Sequence, residues 1–565
     1  MGDGQTDNRR ARGEPDFDAL IIGAGFAGLY QLHLLRDRLG LSVRVLEAQP
    51  GIGGTWQANR YPGARCDSES HSYCYFFSPE IYRAWEWSER YPGQAEILRY
   101  LEFVTERLDL MRDISLGVKV TAARFDDATN LWIVETDRGE SLTCTWLITA
   151  VGCLSSANIP DIPGLSDFAG DWYHTGQWPH EGVDLAGKRV GQIGTGSTGI
   201  QAAPAIAAQA AHLTVFQRTA NYSVPARNAP LGEARKRYFK EHFEEIRDIV
   251  QRTPNGHPFE IAKRKVLDVD DDERRRLYEE AWETGGLRFR AVFQDLLASE
   301  DANATAAAFI KGKIRQIVHD PRKARILSDI DHPYAAKRPP VDTEYFETFN
   351  RDNVDLVDLR AEPITRITGN GILTEKAEYP LDVIVFATGF DAMTGPLLRL
   401  GLTGRGGLRL DETWAAGPVT YLGLQIPGFP NLFTVTGPGS PSVLVNLPIG
   451  IEQHVEWITD CIAFMRERGV TRIEPRIEAA TAWGAHVEEA AGRTLLPQAP
   501  HSWYLGANVP GKPRVFMPYT GGMGRYRAIC DDIAARGYPG FILDDTAQPA
   551  PAAGDFDAPV YAPGV

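Results

Sequence analysis

The sequence has few cysteines, and none of them stands in a redox-active or metal-binding arrangement. Six cysteines occur among 565 residues, with no CxxC pair and no zinc-ligand spacing to a histidine. Cys66 and Cys74 are too far apart for the CxxC or CxxxxC motif of a disulfide reductase. We therefore expect reduced thiols, a cytoplasmic location and no metal site.

Positive charge is also scarce. The chain has 59 Lys and Arg residues against 74 Asp and Glu residues, a net charge of −15. Nucleic-acid-binding proteins usually present a basic surface, so we expect no nucleic-acid partner. No apolar run approaches the length of a membrane span, and the first residues lack the apolar core of a signal peptide, so we expect no membrane association.

The first motif with chemical meaning is Gly23-x-Gly25-x-x-Gly28, which follows an apolar strand and begins a helix. Its glycines allow a tight turn, close approach of a pyrophosphate and close helix–strand packing. The next strand ends at Glu47, which can accept a hydrogen bond from a ribose 2′-hydroxyl but would repel a 2′-phosphate. This unit therefore suits FAD or NAD and not NADP.

A second unit of the same kind contains Gly194-x-Gly196-x-x-Gly199, with Ser197 and Thr198 at the start of the helix. A helix N-terminus offers free backbone N–H groups to a phosphate. These residues are therefore candidates for binding a second dinucleotide.

The two units differ at the residue that reads the ribose. At the offset that separates Gly23 from Glu47, the second unit carries Arg218, followed by Thr219. A guanidinium can bind a phosphate through two hydrogen bonds, so Arg218 suits the 2′-phosphate of NADPH. FAD and NADPH in one chain indicate hydride transfer from nicotinamide to flavin.

The chain is too long for one core, and its pattern predicts an α/β fold. We expect two Rossmann-like dinucleotide-binding domains with a helical insert, because charges become dense and apolar residues take helical spacing after about residue 225. The predicted divisions are a disordered leader (1–18), a discontinuous FAD-binding domain (19–151 and 386–545), an NADP-binding domain (152–224 and 331–385), the insert (225–330) and a disordered tail (546–565).

Four segments carry a resemblance to a known family. Phe168-x-Gly170-x-x-x-His174-x-x-x-Trp178-Pro179 resembles the FxGxxxHxxxWP signature of type I Baeyer–Villiger monooxygenases, which are class B flavoprotein monooxygenases. The segments from Gly53 to Asp67, around Lys337-Arg338-Pro339-Pro340, and over 502–522 are similar to other parts of that family. The likeness is strongest to its phenylacetone, steroid and cyclopentadecanone monooxygenases.

The resemblance implies an activity and roles for particular residues. NADPH would reduce FAD, and a C4a-peroxyflavin would convert a ketone to an ester or lactone with O2. Arg338 would be the catalytic cation and Asp67 would hold it, while Lys337 would join Arg218 on the 2′-phosphate. The implied cofactor contacts also include Gly54, Thr55, Trp56, Asp67 and Trp503, and the implied pocket wall is Val443, Leu444 and Trp503.

His174 and Trp178 would then couple domain motion to catalysis and take no part in acid–base chemistry. An aliphatic pocket wall favours apolar ketones and predicts poor turnover of keto acids. We expect a monomer or weak homo-oligomer. Three alternatives stay open: a heteroatom-oxidising flavin monooxygenase, an NADPH oxidase and a non-catalytic NADPH-sensing interaction protein. The presence of Asp67, Lys337 and Arg338 argues against the last.

Overall fold

The computed structural model describes residues 14–544, the backbone of 546–547 and residue 556. The strands, numbered along the chain, are β1 (Phe17–Ile22), β2 (Val43–Glu47), β3 (Ile114–Leu116), β4 (Val120–Asp126), β5 (Leu131–Thr136), β6 (Ser141–Thr149), β7 (Asp171–His174), β8 (Arg189–Ile193), β9 (His212–Gln217), β10 (Val224–Pro225), β11 (Val341–Asp342), β12 (Val354–Asp358), β13 (Ile364–Thr368), β14 (Gly371–Thr374), β15 (Glu378–Pro380), β16 (Val383–Phe386), β17 (Leu402–Thr403), β18 (Leu432–Thr434), β19 (Ile473–Pro475), β20 (Phe541–Leu543) and β21 (Thr546–Ala547).

The α-helices connect and cover these strands. In chain order they are α1 (Phe26–His33), α2 (Thr55–Ala58), α3 (Pro79–Ala84), α4 (Gln94–Arg107), α5 (Ser197–Ala207), α6 (Glu233–Glu241), α7 (Phe243–Arg252), α8 (Asp271–Thr284), α9 (Glu300–Ile317), α10 (Pro321–Ser328), α11 (Tyr345–Thr348), α12 (Gly395–Leu398), α13 (Leu410–Thr413), α14 (Leu447–Arg468), α15 (Ile477–Gly492) and α16 (Met523–Ala535).

The first sheet has the order β17-β4-β5-β6-β1-β2-β3, and β18 also pairs with β6. β1 runs parallel to β2 and β6, and its last four residues are all buried, as expected for a strand covered on both faces. Strands β17 and β18 come from much later in the chain than their partners β4 and β6. Residues beyond 400 therefore supply two of the strands of this sheet.

The second sheet has the order β12-β9-β8-β16-β7, and all four pairings are parallel. β16 lies between β8 and β7, although about 190 residues separate it from β8, so the chain returns to this sheet after a long excursion. The strands of both sheets fall inside the predicted discontinuous segments, except that β1 begins two residues before its segment and β16 ends one residue beyond its own. Their assignment to FAD and NADP stays a prediction.

The excursion contains α6 to α10, within the segment that was predicted to be helical. Phe243, Ile246 and Val250 of α7 pack into the core beside the first sheet. Tyr278 and Trp282 of α8 pack into the core beside the second sheet. The insert therefore contacts both cores and is placed to contribute residues to a site between them.

The predicted terminal boundaries differ slightly from the structure where they can be compared. β1 begins at Phe17, so Phe17 and Asp18 belong to the first sheet and not to a leader. Thr546 and Ala547 pair with β20, so the tail is not unstructured at its first two residues. The rest of both predicted segments lies almost wholly outside the described residues. No helix within the described residues is long and apolar enough to cross a membrane.

Candidate active site

The glycines of the first motif bring strand, turn and helix into close contact. Gly23 has φ +104°, a left-handed value that favours glycine. A Cβ at Gly28 would lie 1.8 Å from the carbonyl oxygen of Gly23. Gly25 is the residue before α1, and only the backbone of Gly54 would lie near a Cβ there. The turn thus leaves room for a pyrophosphate at the start of α1, and the residues fit FAD.

Glu47 closes this turn from the end of β2. Its Oε2 accepts a hydrogen bond from the backbone N–H of Ala24 at 2.7 Å, and its Oε1 accepts one from that of Gln49 at 2.8 Å. Burial raises the pKa of Glu47, and these backbone N–H groups oppose that shift. The carboxylate therefore lies beside the glycine turn, where a ribose hydroxyl would meet it.

The segment with Gly54, Thr55 and Trp56 lies directly against the first motif. The backbone N–H of Gly53 donates to the carbonyl of Ala24 at 2.9 Å. Trp56 is buried and donates through Nε1 to the Tyr73 hydroxyl at 3.2 Å, whereas Thr55 is exposed. These two segments form one glycine-rich wall beside the start of α1.

The same stretch then reaches the second nucleotide unit. The Tyr61 hydroxyl donates to Oε1 of Gln201 in α5 at 2.8 Å, and a Cβ at Gly63 would lie 2.3 Å from the Gln201 carbonyl oxygen. Gln201 was not predicted from the sequence, because only this tertiary contact gives it a role. It connects the two nucleotide units.

The second motif repeats the geometry of the first. Gly194 has φ +111°, and a Cβ at Gly199 would lie 2.3 Å from its carbonyl oxygen. Gln192, another residue that sequence reasoning missed, donates to the carbonyls of Gly194 and Gly199 at 3.1 Å each. Gly196 has no atom within 4 Å of the position of a Cβ. The N-terminus of α5, with Ser197 exposed and Thr198 half-buried, is thus open to a phosphate.

Positive charge gathers beside this opening. Arg218 is exposed directly after β9, and the Thr219 carbonyl accepts a hydrogen bond from Thr195 in the motif at 2.8 Å. Burial lowers the pKa of Lys337, Asp331 opposes that shift and the charge of Arg218 adds to it. Burial and the charge of Lys337 lower the pKa of His332 to about 4. Arg218 and Lys337 therefore share one electrostatic environment, which fits the 2′-phosphate of NADP.

Arg338, the residue after Lys337, points to a different set of partners. Its Nε donates to Oδ2 of Asp67 at 2.7 Å and its Nη2 donates to Oδ1 at 2.8 Å. Its Nη1 donates to the carbonyl of Val443 at 2.9 Å. Burial favours the neutral forms, but the mutual attraction prevails: the pKa of Asp67 is lowered and that of Arg338 is raised. The structure thus fixes a permanent cation at this point.

The predicted pocket residues come together next to this cation. Val443, Leu444 and Trp503 belong to one apolar cluster with Met393 and Tyr504. Ser442–Leu444 is a short 3-10 helix. Because Val443 also accepts a hydrogen bond from Arg338, the apolar wall and the cation are parts of one site.

His174 of the resemblance signature lies where the chain leaves the second sheet. Its Nε2 and the carbonyl oxygen of Gly389 are 3.0 Å apart, and its Nδ1 accepts from the backbone N–H of Gly176 at 3.0 Å. Its ring packs edge-on against Phe390. His174 therefore holds the segment that follows β16 and leads back to the first sheet.

The helical insert supplies two further residues near the cation that sequence reasoning missed. Burial and the charge of Arg338 lower the pKa of His257 to about 3. Burial also lowers the pKa of Arg290, with Arg338 among the charges that act on it. The signal that the sequence offers is the consecutive pair Gly285 and Gly286. In the structure both have positive φ, and Gly286 begins the turn that carries Arg290.

Comparisons with known proteins bear on this site. A family model described as pyridine nucleotide-disulphide oxidoreductase matches residues 20–271. A Baeyer–Villiger monooxygenase of Pseudooceanicola batsensis is 45% identical over 547 residues, which cover 96% of this chain and 99% of that protein. The chain belongs to the Baeyer–Villiger monooxygenase family.

Two other relatives show how far the likeness of this chain to known proteins extends. A phenazine N-monooxygenase of Lysobacter antibioticus is 44% identical over 530 residues, covering 93% of this chain and 97% of that protein. A solved structure of oxidized steroid monooxygenase bound to NADP is 50% identical, with a TM-score of 0.89, and covers 93% of this chain and 99% of that chain. The resemblance, the α/β fold and its two dinucleotide-binding units are thereby confirmed. The six cysteines are all buried and unpaired, in spite of the description of the family model.

Proposed function

We propose that this chain is an NADPH-dependent FAD monooxygenase that converts ketones to esters or lactones with O2. The observation that carries the proposal is the Arg338 guanidinium, held through two hydrogen bonds by Asp67 and through a third by Val443 beside an apolar wall. A ketone bound against this wall would lie beside a fixed positive charge.

The two glycine-rich units hold the cofactors. Gly23, Gly25, Gly28, Glu47 and the Gly54–Trp56 segment would bind FAD. The second motif (Gly194, Gly196, Ser197, Thr198, Gly199) would bind NADPH with Arg218, Thr219, Lys337 and Trp503. FAD, once reduced by NADPH, supplies the activation of O2 that amino-acid side chains cannot provide.

Arg338 provides electrostatic stabilisation. Negative charge develops on the carbonyl oxygen of a ketone under nucleophilic attack, and a preorganised cation in a partly desolvated site lowers the energy of that state. Asp67 uses both of its oxygens on Arg338, so the guanidinium keeps its orientation without reorganisation. Asp67 is thus a positioning residue and Arg338 the residue that acts on the reacting atoms.

Lys337 and Arg338 connect coenzyme binding to this chemistry. They are consecutive, yet Lys337 shares its surroundings with Arg218 and Arg338 shares its surroundings with Asp67. A 2′-phosphate bound by Lys337 would therefore restrain the backbone that carries Arg338. The identity of the coenzyme would in this way influence the position of the catalytic cation.

The proposals for substrate class, cellular compartment and oligomeric state are less specific than the proposal for the reaction. Val443, Leu444 and Trp503 favour small ketones over macromolecules, and the six buried, unpaired cysteines fit a reducing compartment such as the cytoplasm. We keep the expectation of a monomer or weak homo-oligomer, which size-exclusion chromatography can test.

A second candidate function is oxygenation of nitrogen or sulfur. It is favoured by the similarity to the phenazine N-monooxygenase. The fixed cation at Arg338 favours the ketone reaction, because a neutral amine or sulfide develops no oxyanion for a guanidinium to stabilise.

One assay separates these functions. The FAD-loaded enzyme is given NADPH and O2 with cyclohexanone, an aryl-alkyl ketone, an apolar sulfide or no substrate, while NADPH consumption, H2O2 and product mass are recorded. We expect ester or lactone in proportion to the NADPH consumed. Stoichiometric H2O2 with every ketone would indicate an oxidase, and N- or S-oxides alone would indicate the second candidate.

A further inference from the structure

The segment from Tyr61 to Asp67 runs from α5 to the catalytic cation. Near its start, Gly63 packs directly on α5: its φ is +82°, and a Cβ there would lie 2.3 Å from the Gln201 carbonyl oxygen. At its end, Asp67 accepts two hydrogen bonds from the guanidinium of Arg338. One short segment therefore contacts both the helix of the second motif and the active-site pair.

The side chain of Gln201 binds this segment at three points. Its Oε1 accepts hydrogen bonds from the Tyr61 hydroxyl at 2.8 Å and from the backbone N–H of Arg65 at 3.3 Å. Its Nε2 donates to the carbonyl of Arg65 at 3.2 Å. The amide thus pairs with both backbone groups of one residue, as the partner does in an antiparallel ladder. Gln201 therefore sets the position of Arg65, two residues before Asp67.

The opposite edge of the segment is held by the residues around the start of α4. The backbone N–H of Cys66 donates to the carbonyl of Pro92 at 3.0 Å, and that of Gln94 donates to the carbonyl of Ala64 at 2.9 Å. The segment is thus held from both nucleotide units, and Gln201 is the side chain through which α5 holds it.

The same helix begins at the site proposed for the coenzyme phosphates. Ser197 and Thr198 form its first turn, and Gln201 stands one turn further along. A phosphate at the N-terminus and the backbone of Arg65 would therefore be held by one helix. Burial raises the pKa of Tyr61, and a hydrogen bond with Thr198 opposes that shift. Tyr61 thus lies between the phosphate end of α5 and Gln201.

We infer that Gln201 is a positioning residue that couples coenzyme binding to the active-site pair. It acts through the backbone of Arg65 on Asp67, and through Asp67 on Arg338. This inference rests on the proposed binding of NADPH at α5 and on the proposed role of Arg338. It differs from the link through Lys337, which needs the 2′-phosphate, because the start of α5 receives the pyrophosphate. Since coupling between two sites is reciprocal, a change at Asp67 should be felt in coenzyme binding.

The first test is a double-mutant cycle on NADP+ binding, measured by isothermal calorimetry with the FAD-loaded full-length enzyme. In the wild-type background, Asp67→Asn should weaken NADP+ binding by about fivefold or more, the usual size of coupling between sites. Gln201→Met keeps the length of the side chain and removes its hydrogen bonds, so in that background Asp67→Asn should have no further effect. The exposed Gln209, which follows α5, provides the control background Gln209→Met, in which the wild-type response should persist.

Two results of this cycle overturn the inference. An equal effect of Asp67→Asn with and without Gln201 would mean that Asp67 acts on the coenzyme by another route. No effect of Asp67→Asn on NADP+ binding in the wild type would mean that the two sites are not coupled. FAD content and the thermal transition confirm that each variant is folded.

The second test separates positioning from a merely structural role. At saturating NADPH, flavin reduction in Gln201→Met should keep its wild-type rate. With cyclohexanone, the lactone formed per NADPH should fall by about threefold to tenfold, the range for a lost hydrogen bond, with H2O2 making up the difference. Tyr61→Phe removes one of the three hydrogen bonds and should give a smaller loss. If flavin reduction and lactone formation decline together, Gln201 supports the fold alone and the inference is wrong. Failure of the wild type to oxidise any ketone refutes the proposed function separately, because the binding cycle requires no oxygenation.

Discussion

Asp67 fixes the orientation of Arg338, because both carboxylate oxygens of Asp67 accept hydrogen bonds from the Arg338 guanidinium. The two residues are 271 positions apart in the sequence. Asp67 belongs to the segment that begins in the first nucleotide unit, and Arg338 follows the helical insert. The pair therefore forms only when these two distant parts of the chain are packed together correctly.

Removing the cation should separate oxygenation from flavin reduction. We expect Arg338→Ala to bind FAD and to be reduced by NADPH, while ester formation falls by about a hundredfold or more, the typical cost of losing one preorganised electrostatic contact. Asp67→Asn should have a smaller effect in the same direction. Stopped-flow absorbance and product analysis measure the two steps, with the exposed Arg399→Ala as control. Near-normal ester formation by Arg338→Ala would remove this residue from the mechanism.

Coenzyme choice should depend on Arg218. Arg218→Ala should raise the KM for NADPH by about tenfold and leave the KM for NADH nearly unchanged, because only NADPH carries the 2′-phosphate. Since Arg218 is exposed, the effect should shrink as salt is added. Lys188→Ala, an exposed lysine just before β8 in the same sheet, is the control. Equal changes for both coenzymes would contradict the assignment.

Two glycines of the second motif should respond differently to the same substitution. A Cβ at Gly196 meets no atom within 4 Å, so Gly196→Ala should keep the thermal transition and weaken NADPH binding. A Cβ at Gly199 would lie 2.3 Å from the Gly194 carbonyl oxygen, so Gly199→Ala should lower the transition as well. Gly312→Ala, in the open middle of α9, is the control. Unchanged NADPH affinity in Gly196→Ala would place the pyrophosphate elsewhere.

Leu444 should influence the choice of ketone and not the supply of electrons. Leu444→Ala enlarges the pocket wall, so relative turnover should shift toward bulkier ketones while the rate of flavin reduction by NADPH stays the same. A ketone panel and stopped-flow absorbance provide the two readouts, and the exposed Leu267→Ala serves for comparison. Slower reduction with an unaltered ketone profile would instead assign Leu444 to the nicotinamide site.

A buried carboxyl group should make stability depend on pH. Burial raises the pKa of Glu452 to about 8, and its Oε1 accepts hydrogen bonds from the backbone N–H groups of Phe76 and Phe77. Between the ordinary pKa of about 4.5 and pH 8 the folded state holds a proton that the unfolded state has lost, so this group makes stability fall as pH rises. The slope from one such group approaches about 1.4 kcal/mol per pH unit.

Glu452→Gln removes that proton-linked cost and keeps an oxygen acceptor. Denaturant unfolding should therefore show the variant gaining stability relative to the wild type as pH increases from 5.5 to 8. The exposed Glu106→Gln should show no such trend. Parallel curves for Glu452→Gln and the wild type would mean that Glu452 is ionised in the folded protein.

The nucleotide units could be predicted because their signals are local. Gly23, Glu47, Gly194 and Arg218 stand at matching offsets within two strand–helix–strand units, and such units fold with fixed short-range geometry. Both units have the predicted element order. The functional roles of their residues remain predictions, to be tested by the substitutions above.

The Asp67–Arg338 pair and its surroundings were harder to predict from the sequence. Nothing local joins Asp67 to Arg338, and only the resemblance to a family suggested the contact. Arg290 and His257 could not be predicted, since the dense charges of the insert indicated a solvated helix face. Their position depends on how the turn after Gly285 and Gly286 packs: a Cβ at Gly286 would lie 1.8 Å from the Tyr91 hydroxyl.

The late strands of the first sheet have a consequence for synthesis on the ribosome. All strands of the second sheet have been translated once Phe386 is added. At that point two partners of the first sheet are still missing: β17 (Leu402–Thr403), which pairs with β4, and β18 (Leu432–Thr434), which pairs with β6. Domains usually fold in the order in which they emerge. Here the sheet that starts first is completed last. In the nascent chain, Leu147 to Thr149 at the end of β6 therefore keep one edge open until more than three quarters of the protein has been made.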